Sequence, residues 1–130
     1  MRHLDTNIVI AYLNGNQSVA EQLKNYLPDV AISMPVWAEL RYGARASVKA
    51  TENLQKLDYL LQVIDLVDFD RTCADQYSHI RLALRKKGRP TGEMDLLIAS
   101  IAMAHEAILV THNTKHFQHI DNLILEDWLA

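Results

Sequence analysis

The stretch GEMDLLIASIAMAHEAILVTHN, residues 92–113, carries both halves of the pattern that decides the fold. Met94, Leu97, Ile98 and Ile101 recur at the spacing of one helical face, in a helix that starts just after Gly92. Ile108–Thr111 then make a short apolar run, the form taken by a parallel strand buried on both faces. Outward from this stretch the same alternation returns. Arg2–Asp5, Val30–Met34, Ile64–Phe69 and Leu123–Leu125 are the other strand candidates. Leu54, Leu57, Leu61 and Ile64 have helical spacing, as do Tyr77, Ile80 and Leu84. The second of these helices is expected to start at Asp70, a good N-cap, and to stop at Gly88 behind a cationic last turn. Pro35 suits the first turn of a helix running through Trp37 and Leu40. Strand and helix in alternation predict a three-layer α/β/α sandwich around a mainly parallel sheet of about five strands.

Length and composition bound the rest. The chain has 130 residues, 49% apolar and 22% charged, which suits one globular domain over residues 1–130 and excludes a disordered tail. Glycines and prolines do not cluster, so no linker is placed. A single cysteine, Cys73, rules out a disulfide framework and suits a reducing compartment, and a cytoplasmic location is expected. No apolar run approaches a membrane span, and the charged start Met1-Arg2-His3-Leu4-Asp5 does not read as a signal peptide. The net charge of -3 argues at first sight against a nucleic-acid binder.

Chemistry is expected at the carboxyl ends of the strands, where sites form in open α/β sheets. Four features fall on that rim. Asp5-Thr6-Asn7 ends the first strand, Glu39 lies early in the helix after the second, Asp95 lies in the first turn after Gly92, and Thr111-His112-Asn113 follows Ile108–Thr111. Each acid has an ordinary explanation alone. Asp5 suits a helix cap, Glu39 a pair with Arg41 or Arg45, and Asp95 a helix dipole. Three carboxylates on one rim, however, repel one another, and a hard divalent cation relieves that repulsion. Mg²⁺ binds through one or two carboxylates and keeps several waters. It activates a water and neutralises charge developing on a phosphate. Metal-assisted phosphodiester hydrolysis is the chemistry this suggests.

At these residues the chain resembles the PIN-domain ribonucleases, in particular the VapC-type toxins of toxin–antitoxin pairs. Leu4-Asp5-Thr6-Asn7-Ile8, Trp37-Ala38-Glu39-Leu40-Arg41-Tyr42-Gly43 and Gly92-Glu93-Met94-Asp95-Leu96-Leu97-Ile98-Ala99 are similar to the family's three acidic motifs. Leu109-Val110-Thr111-His112-Asn113, His116-Phe117 and Leu125-Glu126-Asp127-Trp128 are similar to its C-terminal pattern. The resemblance implies a Rossmann-like fold and a Mg²⁺ site, with Mn²⁺ as substitute, at Asp5, Glu39 and Asp95. It implies endonucleolytic cleavage of RNA, with tRNA or rRNA as the expected substrate, and inhibition of translation. It further implies a homodimer neutralised by a cognate VapB-type antitoxin in the active-site groove. Asn113 departs from the aspartate of many PIN domains and brings no charge, which leaves the number of metals open.

In this reading Asp5 and Asp95 are the principal metal ligands and Glu39 acts through a water. Thr6 and Thr111 bind the carboxylates or the phosphate, and Asn7 and Asn113 steer water. Five of the thirteen basic residues, Arg81, Arg85, Lys86, Lys87 and Arg89, lie within nine positions. Arg85, Lys86, Lys87 and Arg89 are the candidate RNA contacts; a solvated helix end is the plainer account. His112, His116 and His119 have helical spacing but no closing Cys pair, so zinc is disfavoured. His116 and Phe117 are expected to pack a short turn, and Cys73 to be a small buried residue. A haloacid-dehalogenase phosphatase is set aside because Asn7 stands where its second aspartate belongs. A dinucleotide-binding domain is set aside for want of a Gly-rich first turn. The competing reading is a catalytically silent PIN-type RNA-binding or scaffold module.

Overall fold

The computed structural model describes residues 1–130. Five strands, β1 (Arg2–Leu4), β2 (Val30–Ser33), β3 (Asp65–Val67), β4 (Ile108–Val110) and β5 (Leu125–Glu126), pair in the order β3-β2-β1-β4-β5. Every pairing is parallel. Seven helices connect them: α1 (Thr6–Leu13), α2 (Gln17–Tyr26), α3 (Met34–Arg45), α4 (Ala50–Leu60), α5 (Arg71–Lys87), α6 (Glu93–Ala104) and α7 (Thr114–Phe117). This is the expected three-layer α/β/α arrangement around a parallel sheet. All four residues of β2 are buried, as a parallel strand covered by helices on both faces requires.

The helix ends follow local chemistry. Asn16 caps α2 by accepting from the Val19 N–H at 3.0 Å. Asp70 caps α5 by accepting from the Cys73 N–H at 3.0 Å. Gly88 closes α5 in the left-handed region, φ 67°, and the Arg89 N–H reaches back to the Leu84 carbonyl. Pro35 sits in the first turn of α3, where its missing N–H costs nothing.

Several boundaries differ from the sequence expectations. α4 ends at Leu60, so Leu61 lies at its cap and Ile64 is buried in the turn before β3. β3 is shorter than Ile64–Phe69 because its chain leaves the sheet toward the Asp70 cap, and β5 begins two residues later than Leu123. α2 was not anticipated, although Val19, Leu23 and Tyr26 have its spacing and pack in or against the core.

One core residue is polar. His3, on β1, is 1% exposed, and neither ring nitrogen has a hydrogen-bond partner. Burial lowers its pKa to about 4, helped by the His105 ring 5.5 Å away and by the N-terminal charge. Because the folded-state pKa lies below the unfolded value, His3 takes up its proton more readily when the chain unfolds. Stability is therefore lost as pH falls from about 6.5 toward 4. From this group alone the loss is expected to be about 2 kcal/mol at pH 5 relative to pH 7.5. Urea unfolding at the two pH values checks it, and His3→Leu should flatten the difference without breaking a hydrogen bond.

Candidate active site

The rim residues meet because their elements do. Asp5 directly follows β1, and in extended geometry (φ -74°, ψ 162°) it caps α1, its Oδ1 accepting from the Thr6 N–H at 2.8 Å. Its other oxygen accepts from Thr111 Oγ1 at 2.8 Å and from Asn7 Nδ2 at 3.4 Å. Thr111 is fully buried at the end of β4, and its hydroxyl also accepts from the Asn113 N–H at 3.0 Å. Parallel pairing of β1 with β4 sets this contact: Leu4 lies opposite Val110, so the next residues, Asp5 and Thr111, leave the sheet together.

Glu39 arrives from the second turn of α3, half-buried, and its Oε1 accepts from Thr6 Oγ1 at 2.7 Å. Asp95 is the third residue of α6, and its Oδ2 lies 3.1 Å from His116 Nδ1. Two threonines thus hold two of the three acids. Asn7 Oδ1 accepts from the His112 N–H at 3.0 Å, tying the loop after β4 to α1.

Asp5 carries the electrostatic strain. It is 5% exposed, and burial pushes its carboxyl above the ordinary aspartate range. Hydrogen bonds from Thr111 and Thr6 pull it back, and the Asp95 charge pushes it up again. A positive charge near these two acids would relieve both effects.

The histidines and bases separate into distinct environments. α7 has only four residues, so His112, His116 and His119 share no helix face. The expectation that His116 packs with Phe117 needs correction. Phe117 is 1% exposed and fills the core, while His116 turns outward to Asp95. Adjacent positions on a single turn point in different directions, and burying one exposes the other. His112 Nδ1 lies 3.0 Å from Asp127 Oδ2, a pairing with no local sequence signal because fourteen residues intervene. Lys87 is engaged by the His119 carbonyl at 2.9 Å and by Asp121 at 2.7 Å. Arg85, Lys86 and Arg89 are exposed and form no ion pair, and Arg85 lines a cleft of about 410 Å³ that also includes Glu93. Cys73 is buried, and burial pushes its thiol up, away from nucleophilic use.

The donor set fits a hard cation. The rim offers carboxylate and amide oxygens, and no three of its His, Cys, Asp and Glu groups converge closely enough to cage an ion by themselves. Oxygen donors of this kind suit Mg²⁺, which takes one or two carboxylates and keeps several waters. Next to Glu39 lies an open apolar groove of about 250 Å³ between α1, α3 and α4, lined by Ile10, Leu13, Leu40, Ala44 and Leu57.

Known proteins resemble the chain along nearly its whole length. The PIN domain family matches residues 3–123. Ribonuclease VapC2 of Rickettsia felis is 43% identical over 128 residues, covering 96% of each chain. The tRNA(fMet)-specific endonuclease VapC of Shigella flexneri is 36% identical over 126 residues, again with 96% of each chain covered. In the crystal structure of VapBC2 from Rickettsia felis bound to a promoter DNA fragment, one chain superposes with a TM-score of 0.92. It is 42% identical, and the match covers 98% of both chains. No helix is long and apolar enough to cross a membrane. With its parallel sheet, its acidic rim and these full-length similarities, the chain belongs to the PIN-domain family and, within it, to the VapC ribonucleases.

Proposed function

We propose that this chain is the toxin of a toxin–antitoxin pair, a divalent-metal-dependent endoribonuclease built as a single PIN domain over residues 1–130. The observation that supports this reading is the Asp5 carboxylate, buried at the end of β1, which feels the Asp95 charge and is followed by Thr6, whose hydroxyl donates to Glu39. Asp5 and Asp95 would hold the cation, Mg²⁺ with Mn²⁺ as substitute, and Glu39 would act through a water. The bound cation supplies an activated water and offsets charge developing on the phosphate. Thr111 and Thr6 fix the Asp5 and Glu39 carboxylates, which keeps the acids from reorganising as substrate enters. Glu39 orients the attacking water or takes its proton.

RNA is the substrate. The relative from Shigella flexneri is named for tRNA(fMet), which makes tRNA the first class to assay. Cleavage stops translation in the cytoplasm where the chain acts. A VapB-type antitoxin restrains it, its apolar side chains seated in the groove beside Glu39 and basic ones near the acids. The family resemblance also points to a homodimer.

Purified chain is expected to cut tRNA only with Mg²⁺ or Mn²⁺, to stop with excess chelator, and to leave ends that RNA sequencing maps to a defined site. Cleavage that persists in chelator, or RNA binding with no cleavage in either metal, overturns this reading; the latter outcome supports the silent RNA-binding module. The exposed bases give a second expectation. Reversing Arg85 and Lys86 to Glu should raise KM about tenfold with little change in kcat. It should also lower the salt dependence of RNA binding by about 1.5 units of log–log slope. Reversal at Lys87, which is already paired with Asp121, should act mainly on stability.

A further inference from the structure

We infer that His112, oriented by Asp127, is the general acid of the reaction: its Nε2 proton goes to the ribose oxygen that departs when the phosphodiester bond breaks. The inference deepens the nuclease reading given above and rests on it.

Hydrolysis of a phosphodiester leaves one task unassigned. Water attacks phosphorus on one side, the bond on the opposite side breaks, and the departing oxygen needs a proton. Sheet order indicates where that proton donor stands. The strands run β3-β2-β1-β4-β5. Glu39, on the helix after β2, lies to one side of Asp5, which directly follows β1. An in-line reaction above Asp5 therefore has its departing oxygen toward β4, and the first titratable residue after β4 is His112.

Three observations fit His112 to this task. The first is anchorage to the acids. Thr111, the preceding residue, donates to Asp5 at 2.8 Å. The His112 N–H donates to Asn7 Oδ1 at 3.0 Å, and the amide nitrogen of the same Asn7 lies 3.4 Å from Asp5. The second is ring orientation. His112 Nδ1 lies 3.0 and 3.3 Å from the two oxygens of Asp127. A carboxylate only accepts, so Nδ1 carries a proton and Nε2 is the nitrogen left for substrate. Asp127 is itself held: it directly follows β5, its side chain is 18% exposed, and its Oδ1 accepts from the Leu129 N–H at 2.8 Å. A fixed carboxylate that sets the tautomer of an imidazole is the arrangement by which a histidine is readied for proton transfer. The third is access. The His112 side chain is 55% exposed, so Nε2 can meet a substrate and recover its proton from water.

The step balances as follows. The water oxygen bonds to phosphorus, and the bond from phosphorus to the departing oxygen breaks. The Nε2 proton of the imidazolium passes to that oxygen, and the proton of the water is lost through Glu39 to solvent. A phosphate monoester and a hydroxyl result, and the neutral imidazole is reprotonated from solvent.

An RNA oligonucleotide carrying the mapped cleavage site tests this in two forms, with oxygen or with sulfur at the departing position, which the end groups of the wild-type products identify. A thiolate departs without a proton. His112→Gln is expected to lower kcat about 100-fold on the oxygen form with KM nearly unchanged, yet to cut the sulfur form within about threefold of the wild-type rate. Asp127→Asn should show the same selective rescue from a smaller defect, because it frees the ring without removing it. Each comparison is a ratio of two rates in one preparation, so partial unfolding does not imitate it. Equal slowing of both forms, or full activity of His112→Gln on the oxygen form, overturns the role of His112 and leaves the nuclease reading standing. A wild type that cuts neither form with Mg²⁺ or Mn²⁺ overturns the nuclease reading itself, and this role with it.

Discussion

Asp5→Asn is expected to lower RNA cleavage on the order of 10³-fold, comparable with the loss of a principal electrostatic group in an active site, and to raise the thermal midpoint of the protein. The two effects have one origin. Burial and the neighbouring Asp95 charge push the Asp5 carboxyl up, so at neutral pH the folded chain keeps ionised a group that would ionise more easily in water. For such a group the folded state is penalised increasingly as pH rises through the carboxylate range. Asparagine removes the charge while preserving the shape. Its amide oxygen can still accept from the Thr6 N–H, now 2.8 Å from Asp5 Oδ1, and cap α1. The proposed cation would lose a ligand, and the fold would lose a strain. Added Mg²⁺ should stabilise the wild type, because a ligand that binds only the native state raises its midpoint, and should do so far less in Asp5→Asn. Cleavage assays and thermal melts with and without metal check both halves. An Asp5→Asn protein that is inactive and also less stable would mean that the buried carboxylate serves the fold.

Phe117→Ala is expected to cost about 3–5 kcal/mol, the range for emptying an aromatic site in a packed core. Phe117 is among the largest fully buried side chains and belongs to the main apolar cluster. It is also the only buried residue of the four-residue helix α7. A helix this short has no stability of its own, so its position depends on that one side chain. The loss should therefore appear in urea or thermal unfolding, as a midpoint lower by roughly 10–20 °C, and the His116–Asp95 contact should be lost when α7 shifts. Val48→Ala is the control. Val48 is fully exposed, and its truncation should change stability by less than about 0.5 kcal/mol.

Much of the fold is legible in residue order because a parallel α/β sheet writes its pattern locally. The short apolar runs at Val30–Ser33 and Ile108–Val110 and the stripes at Tyr77, Ile80 and Leu84 each follow from burial within a few residues. Caps such as Asp70 and stops such as Gly88 act on neighbouring backbone groups, so they too read directly. Edge strands read less well. β3 and β5 lie at the two sides of the sheet, and their ends are set by where the chain turns away, which apolar content does not record.

The acids Asp5, Glu39 and Asp95 were legible for the same local reason. Each follows a strand or lies in the first two turns of a helix that follows one, and strand direction puts those positions toward one rim. Their partners were not. Thr111 reaches Asp5 across 106 positions and Thr6 reaches Glu39 across 33, and both bonds depend on the register of the parallel strands. His116 read as packing until the burial of Phe117 turned it toward Asp95. Lys87 looked equivalent to its neighbours until Asp121 came within 2.7 Å. Local preference and hydrophobic period act over a few residues and choose the layers and the rim. Which side chains share a proton, a charge or a cation depends on distances between elements far apart in the chain, and those exist only after the sheet has closed its register and the core has chosen which residues to bury.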